Sequence, residues 1–392
     1  MSEMTAIRIA AGATLAAGWL VAAALLWRTQ VPEVDLPDVR VADAFGAREV
    51  PRAERYARGL ALLWIGALVA QVLALWLVAR RRPDVRAPLV ARGALLGALV
   101  FSTLWLAALP FRLAGQWWRR RYDVSDLDYV RYVAQPWSTT LAELALAAVA
   151  GAAVVVVARR LRRGTWLGLW AAAAAIAVGY ALVYPTVLSP RLRPLADREL
   201  AAEVRGLGAQ LGLERVEVEV RKAKERTRAV NAEAIGAGPT TRVVLWDTLL
   251  EPGVGRGEVR FVAAHELAHV ARDHLWKGVA WFCLLALPCL WLLTRLVPLR
   301  EPSALPLAAL VLVLLQLALL PVASAISRRY EREADWAALR VTDDPESAQA
   351  LYRRFVGTSL ADPEPPRLLH LVRGTHPTLV ERVATARAYA RR

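Results

Sequence analysis

The chain has 392 residues, of which 56% are hydrophobic, and its mean hydropathy is +0.34. This apolar content excludes a string of ordinary soluble domains. Its net charge of +15 and pI of about 10.7 would suit a nucleic acid. However, the arginines cluster in short stretches beside apolar runs, as at Arg80–Arg82, Arg119–Arg121 and Arg159–Arg163, where membrane flanks explain them without a nucleic-acid partner.

Six runs carry no charge: residues 9–27, 59–79, 93–111, 165–190, 278–294 and 302–327. A seventh, 137–158, holds only Glu143. A helix needs roughly 20 apolar residues to cross a bilayer core, so the pattern predicts a mainly α, multi-pass membrane protein with about seven spans. The first run is long for a signal peptide and reads as a retained span. The run at 278–294 is the shortest and extends if Lys277 and Arg295 snorkel. Cys283 and Cys289 fall inside it and say nothing of a redox compartment.

Residues 1–190 therefore form a membrane part with five spans. Residues 191–276 are more polar. They open with a helical stretch, "DRELAAEVRGLGAQLGL", followed by three β-rich segments, "VEVEVRK", "AVNAEAIG" and "TRVVLWD", which predict a small sheet. Residues 277–327 form a membrane hairpin, and residues 328–392 a polar helical tail.

Just before the hairpin stands "VRFVAAHELAHVARDH". Positions i and i+4 share a helix face, so His265 and His269 can aim at one point. A catalytic zinc takes three protein ligands and keeps one position open. Glu266, next to His265, can take a proton from the attacking water, which is the HExxH arrangement of zinc peptidases. None of the five histidines precedes His265.

The third ligand is expected in "SRRYEREADWAAL", which follows the last span. Two antiparallel crossings return the chain to its starting face, and a tight hairpin packs its helices 8–10 Å apart. Glu331 or Glu333 could supply the oxygen by residue type alone. Asp335 shares a face with Glu331 and would accept the free ring N–H of a ligating histidine. Glu333 would point elsewhere, onto a solvated face.

With these motifs the chain resembles the CAAX prenyl protease 1 family of integral-membrane zinc metallopeptidases, with HtpX-type proteases as more distant relatives. "HELAHVARDHLWKG" is similar to the family's metal helix, "SRRYEREADWAAL" to its third-ligand segment, and "THPTLVERV" to a C-terminal block. The resemblance places the ligand at Glu331 and the supporting acid at Asp335. It implies one Zn2+ per chain and a helical barrel around a chamber, with a zincin-like peptidase domain facing it. It also implies endoproteolysis, in some members beside a prenylated cysteine. His376 becomes the candidate partner for the oxyanion, with Arg382 as an orienting or charge-supporting neighbour. A second expectation for "GTHPTLVERV" is that Thr375 caps a helix starting at Pro377. His274 is expected to be structural or to support a ligand, and His370 to be ordinary.

A substrate peptide could pair with an exposed strand by β-augmentation. "AVNAEAIG" is the best such strand, with Asn231 and Ala232 as the contacts. The dense arginine loops at 80–86 and 159–163 argue for those loops being cytoplasmic, whereas the resemblance puts the catalytic face in the cytosol of a plasma or inner membrane. Two rival readings exist. A structural zinc scaffold would want a closed site rich in cysteine, and a transporter would want its ionisable ligands within spans. Oligomeric state is not legible.

Overall fold

The computed structural model describes residues 3–134, 136–189 and 192–392. In chain order the helices and strands are α1 (Glu3–Leu26), α2 (Val41–Ala44), α3 (Glu49–Arg81), α4 (Leu89–Arg121), α5 (Tyr129–Ala134), α6 (Trp137–Leu161), α7 (Thr165–Val183), β1 (Arg193–Pro194), α8 (Arg198–Gln210), β2 (Glu217–Arg221), β3 (Ala232–Ile235) and β4 (Arg242–Trp246). They continue as α9 (Arg256–Ala271), α10 (His274–Leu296), α11 (Leu305–Thr342), α12 (Pro345–Thr358), α13 (Arg367–Arg373) and α14 (Leu379–Tyr389).

Among the described residues, five helical segments are long and apolar enough to cross a membrane: Glu49–Arg81, Leu89–Arg121, Tyr129–Val187, His274–Leu296 and Pro302–Thr342. The third contains both α6 and α7, separated by a tight turn at Arg162–Gly164. The apolar run in α1, Gly12–Leu26, is shorter than the others. The expected count of seven therefore becomes five such segments, one of which holds two helices. The expected boundary at 190–191 falls outside the described residues.

These helices form a ring. α3 packs on α4, α4 on α6, α6 on α7 and α7 on α10, while α11 packs on α3. Outward faces stay apolar, as at Leu62, Leu106, Val149 and Ile176, which suits lipid rather than water. The α4–α6 contact is a seam of glycines. A Cβ on Gly97 would sit 2.2 Å from the Ala147 carbonyl oxygen, and one on Gly151 would sit 2.3 Å from that of Gly93. Small residues allow this close backbone approach.

The hairpin is looser than expected. α10 packs chiefly on α7, and α11 on α9 and α3, so α10 and α11 diverge. An apolar cavity of about 760 Å³ lies between them, lined by Trp281, Phe282, Leu285, Leu312, Leu315 and Leu319 among others.

The polar part has its own core. α8, the sheet, α9, the end of α11, α12 and α14 contribute Val204, Leu245, Phe261, Leu339, Tyr352 and Val383. Val39, Ala53 and Tyr56, which precede the second expected span, join the same core. Residues distant in sequence thus build one domain. The sheet order is β1-β2-β4-β3, with β2 and β4 parallel and the other pairs antiparallel. The expected three strands are present. β1 is an addition that two residues could not announce by pattern.

Candidate metal centre

α9 is fixed at its start before it presents any chemistry. Glu258 accepts the backbone N–H of Gly255 at 2.9 Å and is gripped by Arg354 of α12 at 2.7 and 2.8 Å. This caps the first turn and ties α9 to α12. One face of α9 packs Phe261, Ala264, Leu267 and Ala268 out of solvent. The helix stops at Ala271, and Asp273 adopts φ 55° before α10 begins. That left-handed residue turns the chain, so His274 comes back against His269 instead of continuing along α9.

α11 is one unbroken helix of 38 residues that runs from the bilayer segment into the polar core. Its last turns deliver Glu331 and Asp335 on one face, against α9. His265 Nε2 lies 3.2 Å from Glu331 Oε2, and His269 Nε2 lies 3.6 Å from Glu331 Oε1. The two histidine Nε2 atoms are 3.2 Å apart. The three ligand-type atoms all lie within 4.8 Å of one another.

These residues fit a metal ion. Glu331 Oε2 is buried and makes no hydrogen bond, although imidazole nitrogens of His265 and His376 each approach to 3.2 Å. Two imidazoles and a carboxylate converging on one point, with an unsatisfied buried oxygen among them, match a zinc ligand set in type and number.

Asp335 supports the first histidine. Its Oδ1 lies 2.9 Å from His265 Nδ1, close although not well aligned. Arg382 holds Asp335 by a two-pronged contact at 2.8 and 2.6 Å, both groups being buried. The Arg382 guanidinium also lies over the ring of Tyr352, 4.6 Å from its centroid. Arg382 thus acts through Asp335 on His265. Burial opposes its charge, but Asp335 more than compensates, and its pKa is pushed further up. Burial likewise opposes a proton on His265. The carboxylates of Asp335 and Glu331 outweigh it and raise that pKa to about 10. His269, by contrast, is lowered to about 3 by burial and by the neighbouring His265.

Glu266 points to the strand side of α9. Its Oε2 accepts the backbone N–H of Ala234 at 3.0 Å. Burial pushes its carboxyl up to about 7. β3 is the edge of the sheet. Trp246 donates its N–H to the Asn231 carbonyl, so in this antiparallel pair Ala232 and Ala234 turn their backbone groups away from β4. The Ala234 N–H is the one that Glu266 holds.

Cavities lie on either side of this edge. One, of about 400 Å³, is lined by Asn231, Glu266, Asp362, Arg373 and His376 among others. The other, of about 280 Å³, is lined by Tyr180, Tyr184, Glu233, Asp273 and Trp276 with His269. His376 sits at the mouth of the first. Thr375 Oγ1 is 3.0 Å from its Nδ1, and partial desolvation lowers its pKa. His370 lines the same cavity, and its backbone carbonyl accepts from Arg328.

Two expectations change. The helix after His376 starts later than expected: Thr378, not Thr375, caps it by accepting from the Glu381 N–H, and α14 begins at Leu379. Glu381 returns the bond to the Thr378 N–H, and this reciprocal box fixes the boundary beyond Pro377. Glu333 is not on a solvated face. It is 2% exposed, because the start of α10 and the segment after α1 cover it.

A sequence model of peptidase family M48 matches residues 194–390, just over half of the chain. The chain is similar to "Uncharacterized metalloprotease YhfN" of Bacillus subtilis (strain 168), at 27% identity over 58% of this chain and 57% of that one. It is also similar to a "CAAX prenyl protease 1 homolog" of Oryza sativa subsp. japonica, at 27% identity over 31% of this chain and 30% of that one. In each case it spans less than two thirds of the relative's length. The crystal structure of S. mikatae Ste24p shares the fold, with a TM-score of 0.67, 19% identity, and 94% of this chain and 96% of that chain covered. The family match takes in the sheet, both histidines of α9, the carboxylates of α11 and the C-terminal helices, and by it the chain belongs to peptidase family M48.

Proposed function

We propose that this protein is an integral-membrane zinc endopeptidase that hydrolyses peptide bonds of membrane-associated or unfolded proteins. C-terminally lipidated, CAAX-like chains are one member of that class, as the name of the Oryza sativa relative suggests. The observation that carries the reading is the convergence of His265, His269 and Glu331 on one point, with the half-buried carboxyl of Glu266 beside it. One zinc per chain would be held by those three side chains. The chemistry it supplies when bound is Lewis acidity towards a water and a carbonyl oxygen.

The remaining work belongs to the chain. The substrate lies extended along β3, and its backbone pairs with the outward edge of that strand. Glu266 takes a proton from the water as its oxygen bonds to the scissile carbon. The C–N bond then breaks as Glu266 passes that proton to the leaving nitrogen. The neutral ring of His376 donates Nε2–H to the developing oxyanion, with Thr375 supporting Nδ1. Arg382 and Asp335 keep His265 oriented throughout. The catalytic cleft faces the cytosol in this reading.

Removing metal with a chelator should abolish cleavage of an unfolded protein substrate, and stoichiometric zinc should restore it. Undiminished cleavage by demonstrably metal-free protein would refute the proposal. Asn231 lines the cleft at the start of the edge strand. Replacing it with alanine should raise KM for peptides several-fold by removing a backbone contact worth about 1 kcal/mol. An unchanged KM and kcat would take Asn231 out of the substrate site.

A further inference from the structure

The second ring nitrogen of His269 does not face water. Its Nδ1 lies 2.8 Å from Nδ1 of His274, and Nε2 of His274 lies 3.1 Å from Glu333 Oε2. The other oxygen of Glu333 accepts the backbone N–H of Gln30 at 2.7 Å. His274 and Glu333 are buried, and the Tyr330 ring stacks on His274 with centroids 4.6 Å apart.

Chemistry fixes the direction of this chain of contacts. Two imidazole nitrogens in contact need one N–H and one lone pair. A metal at His269 Nε2 uses that lone pair, so the His269 proton must sit on Nδ1 and be donated to His274. His274 then accepts at Nδ1, carries its own proton on Nε2 and donates it to Glu333. The reverse order would leave a His274 lone pair facing a carboxylate. It would also put the His269 proton on Nε2, which faces Nε2 of His265 at 3.2 Å.

We propose that His274 and Glu333 are positioning residues for the metal centre. They hold His269 in the tautomer that ligates through Nε2, and the segment after α1 closes the arrangement through Gln30. The proposal rests on the zinc reading above. It makes the centre two-sided: Arg382 and Asp335 steady one histidine, and Glu333 and His274 steady the other.

The test is zinc affinity of the purified full-length protein in detergent, by competition with a chromophoric chelator, together with the visible spectrum of the cobalt-substituted protein. His274→Ala should bind zinc about 10–100-fold more weakly and shift the cobalt bands. Glu333→Gln should act in the same direction. A carboxamide cannot accept from both His274 and Gln30, so one contact is lost or the tautomer reverses. If His274→Ala fails to fold, Glu333→Gln carries the test. Tyr330→Phe removes the bonds of the Tyr330 hydroxyl to Trp281 and Leu26 but leaves the relay, and it should bind zinc as the wild type does. Equal weakening in Tyr330→Phe would mean that the anchoring of Tyr330 to Trp281 and Leu26, and not the relay, positions the ring, and would overturn the proposal. If the wild type binds zinc and both relay variants match it, the relay alone is wrong. If the wild type binds none, the zinc reading falls and the relay with it.

Discussion

Replacing Glu266 with glutamine is expected to slow peptide cleavage by about 10²–10⁴-fold while the protein keeps its zinc. Glutamine has nearly the same shape and still offers an oxygen to the Ala234 N–H, so the strand–helix contact survives. It cannot accept a proton from water at neutral pH. Glu266 is not among the three converging ligands, so metal content measured by atomic emission should not fall. The same carboxyl sets the pH dependence. Burial raises its pKa to about 7, and the Glu331 charge adds to the rise while the His265 charge opposes it. A base works only when ionised, so the wild-type rate should fall on acidification, by about tenfold per unit below the pKa of that carboxyl. A cation at the centre favours the ionised form and moves this limb to lower pH. Glu266→Gln should lack the limb. Cleavage by the variant at near wild-type rate would instead favour a zinc-binding scaffold or a transporter.

Arg382→Ala is expected to destabilise the protein by about 3–5 kcal/mol, because it strands the buried charge of Asp335. Both partners are nearly inaccessible to water, at 7% and 2% exposure, and no solvent can replace the lost bonds. The loss includes the stacking of the guanidinium on Tyr352. Lysine at 382 keeps the charge but not the planar fork, and should recover only part of the stability. Asp335→Asn combined with Arg382→Met removes the stranded charge, and should be less damaging to the fold than Arg382→Ala alone. Denaturant unfolding of the four proteins measures these differences. A loss under 1 kcal/mol for Arg382→Ala would show that Asp335 finds another partner.

The shared face of His265 and His269 on α9 is legible because HExxH repeats at the helical period, and so is the common face of Glu331 and Asp335. A tight α10–α11 hairpin was expected to bring the two faces together, yet those helices diverge. The direct packing of α11 on α9 makes the site, and no local pattern encodes that contact. The role of His274 depends on one left-handed residue, Asp273, which a helix-period reading passes over. Glu333 reads as solvated because it lies off the face shared by Glu331 and Asp335. Its cover comes from Gln30, 303 positions away in sequence. The apolar runs revealed the membrane part, but residues 39–56 carry no sign that they join the peptidase core.

The glycine seam has a mechanical consequence. At Gly93, Gly97 and Gly151 the backbones of α4 and α6 touch with no side chain there to yield, and Leu96 packs on Val155 beside them, so those two staves move as a single plank. The α10–α11 joint is padded instead with leucines and aromatic rings that can change rotamer. A polypeptide segment passing sideways out of the bilayer towards the cleft would therefore part the wall at α10–α11 and leave α4–α6 shut.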